Sequence, residues 1–527
     1  MIIKTADLML VQLYGHLQPN NAEPLSIASL AAYVTDKLPK IAIEVCIINH
    51  AQAAQQIEHL MERIASVGHS IIGLSMPQGT LQLATRILDQ LTQTPLRSRP
   101  VIVLGHSIPT HLSDELLSRY PELLIIEGWG EEALLQIARS RLHGIGSPED
   151  IAGVRSATNR NSLKSLRRII NNHSDYTVAP IRIPGDFFRR VESSRGCHYG
   201  RCTFCTRPPG DPSAWNRLPL DRIAKDIENL KRLGVRDFTF TDEDFFGTNI
   251  SEALKIGQLV RNHGRMTFTV SVRADNIYTS TMNSQELQLM HGYLRSLRAS
   301  GLRKAFIGVE SLSNAQLRRY GKGVDAAQSI TSVKIVQDTG IDVEIGFIPF
   351  DPFTTMQDLQ ENLTALRKSG LWRAVGNVFA KLRIQLGSPM SRTKRLQPLI
   401  TSLDREMIAY NWHFSDSRVA QIYNLCSDWW SPIEPIYWLT RNIERTTSTP
   451  EALSASVHTR KLALEVLTAA VDSVRRGSYA EFRTCLTEAN RSHQTMMNDF
   501  LATLTKRQGV VPLDLVNQLA NAAQVTP

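Results

Sequence analysis

The sequence contains little cysteine, with six residues in a chain of 527. This low density excludes a disulfide scaffold. A long apolar run is also lacking, because the longest uncharged stretch, residues 64–85, contains a histidine, a proline and three glycines. A membrane span needs about 20 mostly apolar residues. The first residues lack the apolar segment and small-residue cleavage site of a secretion signal. We therefore expect a cytoplasmic protein without a membrane span.

Dense runs of lysine and arginine are absent as well. The net charge is 59 − 50 = +9, and residues 1–140 contain 9 basic and 13 acidic residues, so this part has −4 and the rest +13. The basic remainder leaves three readings open: nucleic acid, an anionic substrate or cofactor, and a solvated surface. No compact nucleic-acid module is recognisable, so nucleic acid is not an expected partner.

The remaining composition is that of a globular protein, with 42% hydrophobic and 21% charged residues. At roughly 150 residues per domain, the length predicts about three domains. Residues 1–140 alternate short apolar runs with helical periodicity five times, which predicts a doubly wound, Rossmann-like α/β domain. Its ligand is expected at the carboxyl ends of the strands, in the loops QPNN, SMPQGT, GHSIPT and EGWGEE.

Residues 141–185 lack steady periodicity and are interpreted as a linker. A second β/α series over residues 186–400 predicts six parallel strands, the last in NVFAKLRI, and thus a partial (βα)6 barrel with its chemistry at the carboxyl ends of the strands. Residues 401–527 are predicted to form an α-helical region. Within it, Thr449-Pro450-Glu451 is typical of a helix start.

Three of the six cysteines, Cys197, Cys202 and Cys205, form a C-x4-C-x2-C pattern in a loop after the first strand of the barrel. Three thiolates within nine residues can hold one metal centre and leave one metal position open. A structural zinc would need a fourth ligand, and His198 is too close to Cys197 to chelate comfortably with it. A plant-type ferredoxin site also needs a fourth cysteine, and the next one, Cys426, lies outside the barrel.

The remaining cysteines, Cys46, Cys426 and Cys485, lie in apolar or helical settings and are expected to be structural.

The segment RGCHYGRCTFC, followed by FTDEDFFG, SVRADNI and FIGVESLSNAQLRRYGKG, resembles the radical S-adenosylmethionine (SAM) enzymes of the branch with an N-terminal cobalamin-binding domain. The resemblance covers about 390 residues of the chain. It implies that Cys197, Cys202 and Cys205 bind a [4Fe-4S] cluster whose open iron chelates SAM. The usual family spacing is C-x3-C-x2-C, so this chain has one extra residue in the first gap.

The same resemblance assigns residues to SAM. Phe204 would support the adenine, Asp242, Glu243 and Asp244 would accept from the amino group, Arg273 would bind the carboxylate, and Glu310 the ribose hydroxyls. Carboxylates suit a cationic ammonium, and a guanidinium matches a carboxylate with two hydrogen bonds.

The N-terminal domain would, by resemblance, be of the cobalamin-binding type. The expected cobalamin-binding residues lie in its carboxyl-end loops: Met76, Gly79, Thr80, Gly105, His106, Ser107, Gly128, Gly130 and Glu131. No D-x-H tripeptide occurs in the chain, so the D-x-H-x-x-G motif that supplies a histidine to cobalt is absent. The additional N-terminal cysteines of the related methylthiotransferases are absent too, since only Cys46 is present there.

The resemblance implies an enzyme that cleaves SAM to a 5′-deoxyadenosyl radical and, with cobalamin, methylates an unactivated carbon of a natural-product or peptide substrate. The alternative is a member of the same branch that catalyses a cyclisation, rearrangement or oxidation without methylation. In both cases the enzyme would receive electrons from an external donor of the flavodoxin or ferredoxin type. A cluster-containing redox or interaction protein that does not cleave SAM is a third reading.

Overall fold

In the computed structural model, the described residues are 6–15, 24–93, 99–159, 189–206, 215–447, 449–506 and 513–524. The QPNN loop and most of the expected linker, residues 160–185, lie outside them. Within the described residues, no helix is both long and apolar enough to cross a bilayer.

The N-terminal part is a six-stranded sheet with helices on both faces. Its elements are β1 (Leu8–Tyr14), α1 (Leu25–Lys37), β2 (Ile43–Asn49), α2 (Ala53–Val67), β3 (Ile71–Ser75), α3 (Leu81–Gln93), β4 (Val101–Gly105), α4 (Ser107–His111), α5 (Ser113–Arg119), β5 (Leu124–Ile126), α6 (Glu131–His143) and β6 (Val154–Arg155).

The strand order of this sheet is β2-β1-β3-β4-β5-β6, and only β6 is antiparallel. From β1 the chain first adds β2 on one side of the sheet and then returns to add β3 on the other side. This reversal of strand order creates a crevice at the carboxyl ends of β1 and β3. Every residue of β1 is buried, because the strand lies between two apolar clusters on opposite faces of the sheet. The predicted doubly wound domain is confirmed, with β6 as an addition to its edge.

The central part is a second parallel sheet, in the order β13-β12-β11-β10-β7. Its elements are β7 (Arg189–Val191), β8 (Ser194–Arg195), β9 (Asn216–Arg217), α7 (Leu220–Arg232), β10 (Asp237–Phe240), α8 (Ile250–Asn262), β11 (Thr267–Arg273), α9 (Ser284–Ala299), β12 (Leu302–Glu310), α10 (Asn314–Arg319), α11 (Ala326–Gln337), β13 (Asp342–Phe347) and α12 (Met356–Ser369). Strands β8 and β9 form a separate antiparallel ribbon.

The sixth barrel position differs from the expected continuous strand. The chain runs parallel to β13 there, but it forms only single bridges, Ile345 with Val375 and Phe350 with Lys381. Between the bridges, the Asn377 side chain accepts a hydrogen bond of 2.8 Å from the Phe379 amide. This local turn competes with strand pairing and interrupts the strand.

The C-terminal part contains a small sheet as well as helices. Its elements are β14 (Ile384–Gln385), β15 (Ile400–Asp404), β16 (Ala409–Trp412), α13 (Ser417–Thr447), α14 (Pro450–Arg476), α15 (Ala480–Lys506) and α16 (Leu513–Gln524). The expected helical region therefore begins at Ser417 rather than near Thr401, because β15 and β16 form an antiparallel hairpin. The predicted helix start is correct, with Thr449 as N-cap and Pro450 first in α14.

Candidate active site between the two sheets

The carboxyl edges of the two parallel sheets face one cavity of about 530 Å³. The N-terminal sheet contributes loop residues after β4 and β5, including Gly105, Gly128 and Trp129, and helix α1 contributes Ser29. The barrel contributes Cys197 and residues near it. A ligand in this cavity would touch both sheets at once.

The cysteine loop follows β8, and all three of its cysteines are free thiols of intermediate burial. Two backbone hydrogen bonds fix its centre: the Thr203 amide donates to the Tyr320 carbonyl at 2.9 Å, and the Met390 amide donates to the Thr203 carbonyl at 2.7 Å. Two distant parts of the chain therefore hold the cysteine loop. These contacts support the loop although its first gap between cysteines contains one extra residue.

A glycine-lysine-glycine turn after α10 packs against this loop. Gly321 and Gly323 have φ values of +61° and +75°, which favour glycine. A Cβ atom at Gly323 would lie 2.5 Å from the Tyr199 hydroxyl oxygen. The close approach brings Lys322, which is only 4% exposed, beneath the cysteines.

Positive charge surrounds Cys202. One guanidinium nitrogen of Arg273 lies 3.8 Å from its sulfur, and the guanidinium also stacks on Tyr199 at 3.8 Å. Burial raises the pKa of the Cys202 thiol, and Lys322 and Arg273 oppose this rise. Cationic neighbours stabilise thiolates, so these residues fit an iron–sulfur cluster bound by the three cysteines.

The acidic residues after β10 have separate roles. Asp242 is 2% exposed, and it accepts hydrogen bonds from the amides of Ser193 and Ser194 at 2.8 and 3.0 Å and from the Ser193 hydroxyl. Burial raises its pKa. Its oxygens thus hold the chain before the cysteine loop, and binding of SAM by Asp242 stays a prediction.

Asp244 is also buried, and its carboxylate accepts a hydrogen bond of 2.6 Å from the Asn276 side-chain amide and contacts the His198 ring. One donor atom each from Cys197, His198 and Asp244 lies within 4.8 Å of the others. This group offers three donors, one fewer than a structural zinc takes. Glu243 differs from its neighbours, because it lines the cavity while accepting from the Gly196 amide at 3.0 Å.

The other expected SAM residues surround the same loop. Glu310 adopts a φ of +67° at a bulge in β12 and pairs with Lys322 at 3.1 Å. A Cβ atom at Gly308 or Gly346 would lie 2.8 or 3.0 Å from its carboxylate oxygens, so the carboxylate lies over two glycines. Phe204 packs edge-on against Tyr320, with 5.5 Å between the ring centroids.

The expected cobalamin residues divide into two groups. Those that line the cavity are Gly105, His106, Gly128, Gly130 and Glu131. Met76, Gly79, Thr80 and Ser107 are not among the lining residues.

The residues around the start of α3 instead contact the β15–β16 hairpin. The Gly79 amide donates to the Glu406 carbonyl at 2.7 Å, and the Glu406 carboxylate accepts from the amides of Leu81 and Gln82 at 2.8 and 2.6 Å. Thr80 is buried and donates its hydroxyl hydrogen to Pro77. A side chain of the same polypeptide therefore occupies this helix start, and binding of cobalamin by Gly79 and Thr80 stays a prediction.

One residue of the cavity wall that the sequence interpretation missed is Arg195. Its guanidinium donates to Glu131 at 2.6 Å and to Glu192 at 2.7 Å, and it lies over the Trp129 ring at 4.8 Å. Glu131 also accepts from Ser29 at 3.0 Å. The only sequence signal was the position of Arg195, two residues before Cys197. This ion pair joins helix α6 of the N-terminal part to strand β8 beside the cysteine loop.

The fold and the cysteine loop together define a radical SAM domain: residues 191–366 match the family model described as the Radical SAM superfamily. This match confirms the radical SAM part of the predicted resemblance.

One curated protein is related to the chain in sequence, and two solved structures with cobalamin bound share its fold. A curated relative, "4'-phospho-dehydrooxetanocin synthase" of Priestia megaterium, is 29% identical over 66% of this chain and 48% of its own length. The chain thus spans about half the length of this relative. The structure of OxsB, described as a cobalamin-dependent SAM radical enzyme with aqua-cobalamin and SAM bound, matches 98% of this chain and 83% of its own with a TM-score of 0.79 and 21% identity.

A second solved structure is the radical SAM methyltransferase TsrM from Kitasatospora setae, with cobalamin and a [4Fe-4S] cluster bound. It matches 76% of each chain with a TM-score of 0.57 and 16% identity. At these identities, both structures show the shared fold.

Proposed function

We propose that this chain is a cobalamin-dependent radical SAM enzyme that transfers a methyl group to a carbon atom of a natural-product or peptide substrate. The observation that carries the proposal is the shared cavity, which has Cys197 on one wall and the glycine-lined edge of the doubly wound sheet on the other. When bound, a [4Fe-4S] cluster with SAM supplies reductive cleavage of SAM, and cobalamin supplies a methyl carrier.

The residues of the barrel would position the cluster and SAM. Cys197, Cys202 and Cys205 would bind iron, and Arg273 and Lys322 would balance the negative charge of the thiolates. Glu243, the member of the acidic trio that lines the cavity, is the best placed to accept from the SAM ammonium. Phe204 and Glu310 remain the proposed adenine and ribose contacts.

The N-terminal sheet would bind the corrin. Gly105, Gly128 and Gly130 present backbone without side chains to the cavity, so a large planar group can approach closely. Trp129 adds a flat apolar surface on the same wall. These features fit cobalamin.

A second candidate is a reaction without methyl transfer. The similarity to the synthase of Priestia megaterium, whose name states no methyl transfer, is the reason to test this candidate. In that case the same residues would bind the same cofactors, and the substrate radical would rearrange or be oxidised.

The first test measures products from SAM in the anaerobic holoenzyme with a flavodoxin-type donor. Wild type is expected to form 5′-deoxyadenosine, and Cys202→Ala is expected to form none. Cys485→Ala is the matched control, because this thiol lies in a helix of the C-terminal part, and it should retain activity. Undiminished 5′-deoxyadenosine in Cys202→Ala would overturn the cluster assignment.

The second test distinguishes the two reactions. Methyl transfer consumes a second SAM, so S-adenosylhomocysteine should accumulate together with 5′-deoxyadenosine when substrate is present. 5′-Deoxyadenosine without S-adenosylhomocysteine would support the candidate without methylation.

A further inference from the structure

Three stretches of the sequence around the cysteine loop contain basic residues and no acidic ones. Residues 193–210 include the loop itself, residues 311–324 include the turn after α10, and residues 362–403 lead into the C-terminal part. The last stretch alone contains eight lysine and arginine residues. Part of the excess positive charge of the chain is therefore carried by these three stretches.

The three stretches are in contact in the structure. The Met390 amide donates to the Thr203 carbonyl at 2.7 Å, and a Cβ atom at Gly321 would lie 2.9 Å from the Arg201 carbonyl oxygen. Residues 391–395 follow Met390 directly, so this basic segment starts beside the cysteine loop.

Four basic side chains of this region are exposed. Arg201, Arg392 and Lys394 form no ion pair with any residue that the structure describes. The guanidinium of Arg395 lies over the Phe353 ring at 4.2 Å, and this contact leaves its positive charge in place. We call these four side chains, Arg201, Arg392, Lys394 and Arg395, the basic surface.

The position of the basic surface favours one kind of partner. Arg201 directly precedes Cys202, and Arg392 lies two residues after the amide that holds Thr203 in the same loop. A protein bound here would contact the loop that carries the proposed cluster ligands. Electron-transfer complexes have small, weak interfaces, and opposite charges steer the two partners together. Nucleic acid also suits positive charge, but its binding would not require a place beside the cysteines.

We propose that the basic surface docks an acidic electron-donor protein of the flavodoxin type, which reduces the cluster through the cysteine loop. This inference rests on the proposed radical SAM function. The cluster gains the one electron that the reduced flavin of the donor loses, and no atom is transferred at the surface. Because one docking event delivers one electron, the complex has to form and separate quickly, as a weak charged interface allows.

The test measures 5′-deoxyadenosine formation by the anaerobic holoenzyme at increasing concentrations of reduced flavodoxin, an acidic flavoprotein. Arg392→Glu combined with Lys394→Glu reverses two charges of the basic surface and leaves the cysteine loop unchanged. The KM for flavodoxin should rise about tenfold, because charge steering changes association rates by at least this factor. Added salt should raise the KM of the wild type more than that of the double variant, since salt screens the attraction.

The matched control is Arg236→Glu combined with Arg265→Glu. These exposed residues precede β10 and β11, so they lie at the ends of the barrel strands opposite to the cysteine loop. The control changes the net charge by the same amount and should keep the KM of the wild type. Reduced methyl viologen, a small cationic donor, should support the same rate in all three proteins, because a basic surface does not attract it.

An unchanged KM for flavodoxin in Arg392→Glu with Lys394→Glu would overturn the inference. An equal loss of rate with flavodoxin and methyl viologen would do so too, because it would show damage to the cluster site. Loss of single-stranded RNA binding in this variant, with an unchanged KM for flavodoxin, would assign the surface to nucleic acid and contradict the inference. If the wild type forms no 5′-deoxyadenosine even with methyl viologen, the proposed function fails, and the inference fails with it.

Discussion

The two parallel sheets share a cavity but end in different chemistry. The N-terminal sheet presents mainly glycine and apolar residues beside His106 and Glu131, whereas the barrel strands end in or are followed by Asp242, Asp244, Arg273 and Glu310. Most of these barrel charges are paired with groups of the protein itself. The charged edge therefore builds and holds a loop, and the glycine-rich edge leaves room for a large ligand. Charged residues after a strand are evidence of a supporting structure as much as of a binding site.

The largest loss of stability is expected at the ion pair between Glu131 and Arg195, which joins the N-terminal part to the barrel. Glu131→Gln removes the charge of a side chain that is 4% exposed. Arg195 then has no anionic partner at the start of helix α6. Breaking a buried ion pair from one side is costly, so we expect a loss of about 3 kcal/mol in the free energy of unfolding, measured by chemical denaturation. Glu228→Gln, which breaks an exposed pair with Arg232, is the matched control and should leave stability unchanged.

The same variant gives a pH test. Burial acts to raise the pKa of Glu131, but the charge and hydrogen bonds of Arg195 outweigh it and hold the pKa below its ordinary 4.5. The stabilisation is therefore complete above pH 4.5 and is lost as the pH falls through the lower pKa of the folded state. The stability difference between wild type and Glu131→Gln should shrink in that range. A difference that stays constant from pH 7 to pH 3 would contradict this assignment.

An intermediate effect is expected at the turn beneath the cysteines. Gly323→Ala and Gly68→Ala replace glycines with the same φ of +75°, but a Cβ atom has no neighbour within 4 Å at Gly68 and meets Tyr199 at Gly323. Gly68→Ala should cost about 1 kcal/mol for backbone strain alone. Gly323→Ala should cost about 1 to 3 kcal/mol more through overpacking and should lower the iron content after anaerobic reconstitution. Equal losses in both variants would show that the turn does not support the loop.

The smallest effect is expected at the β15–β16 hairpin. Glu406→Ala removes the carboxylate that accepts from two amides at the start of α3. Loss of such a cap should cost about 1 to 2 kcal/mol in the free energy of unfolding. Hydrogen exchange of the α3 amides should rise selectively, and unchanged exchange at Leu81 and Gln82 would argue against the cap.

Local patterns in the sequence predicted most of the fold. The apolar runs that form β1, β3 and β5 are buried along their whole length, which made them recognisable as strands. The sixth barrel strand was wrong because the Asn377 turn cannot be distinguished from a strand by apolar content. The β15–β16 hairpin was missed because it is short and its partner, β14, has only two residues.

The site was predictable only where residues adjacent in sequence act together. The cysteine spacing identified the loop, but the role of Asp242 depends on Ser193, 49 residues earlier in the chain. Likewise, the ion pair between Glu131 in α6 and Arg195 in β8 joins residues that are 64 positions apart. No local pattern reports such contacts, because they join residues that lie far apart in the sequence.

The Glu406 cap also has a consequence for synthesis of the chain. The backbone amide of Leu81 donates to a carboxylate that lies 325 residues further along the polypeptide and is therefore synthesised later. At about 5 to 20 residues per second, that delay is roughly 16 to 65 seconds. During this time the start of α3 has no Glu406 carboxylate to accept from its amides, so the N-terminal domain can acquire this cap only after the barrel has been made.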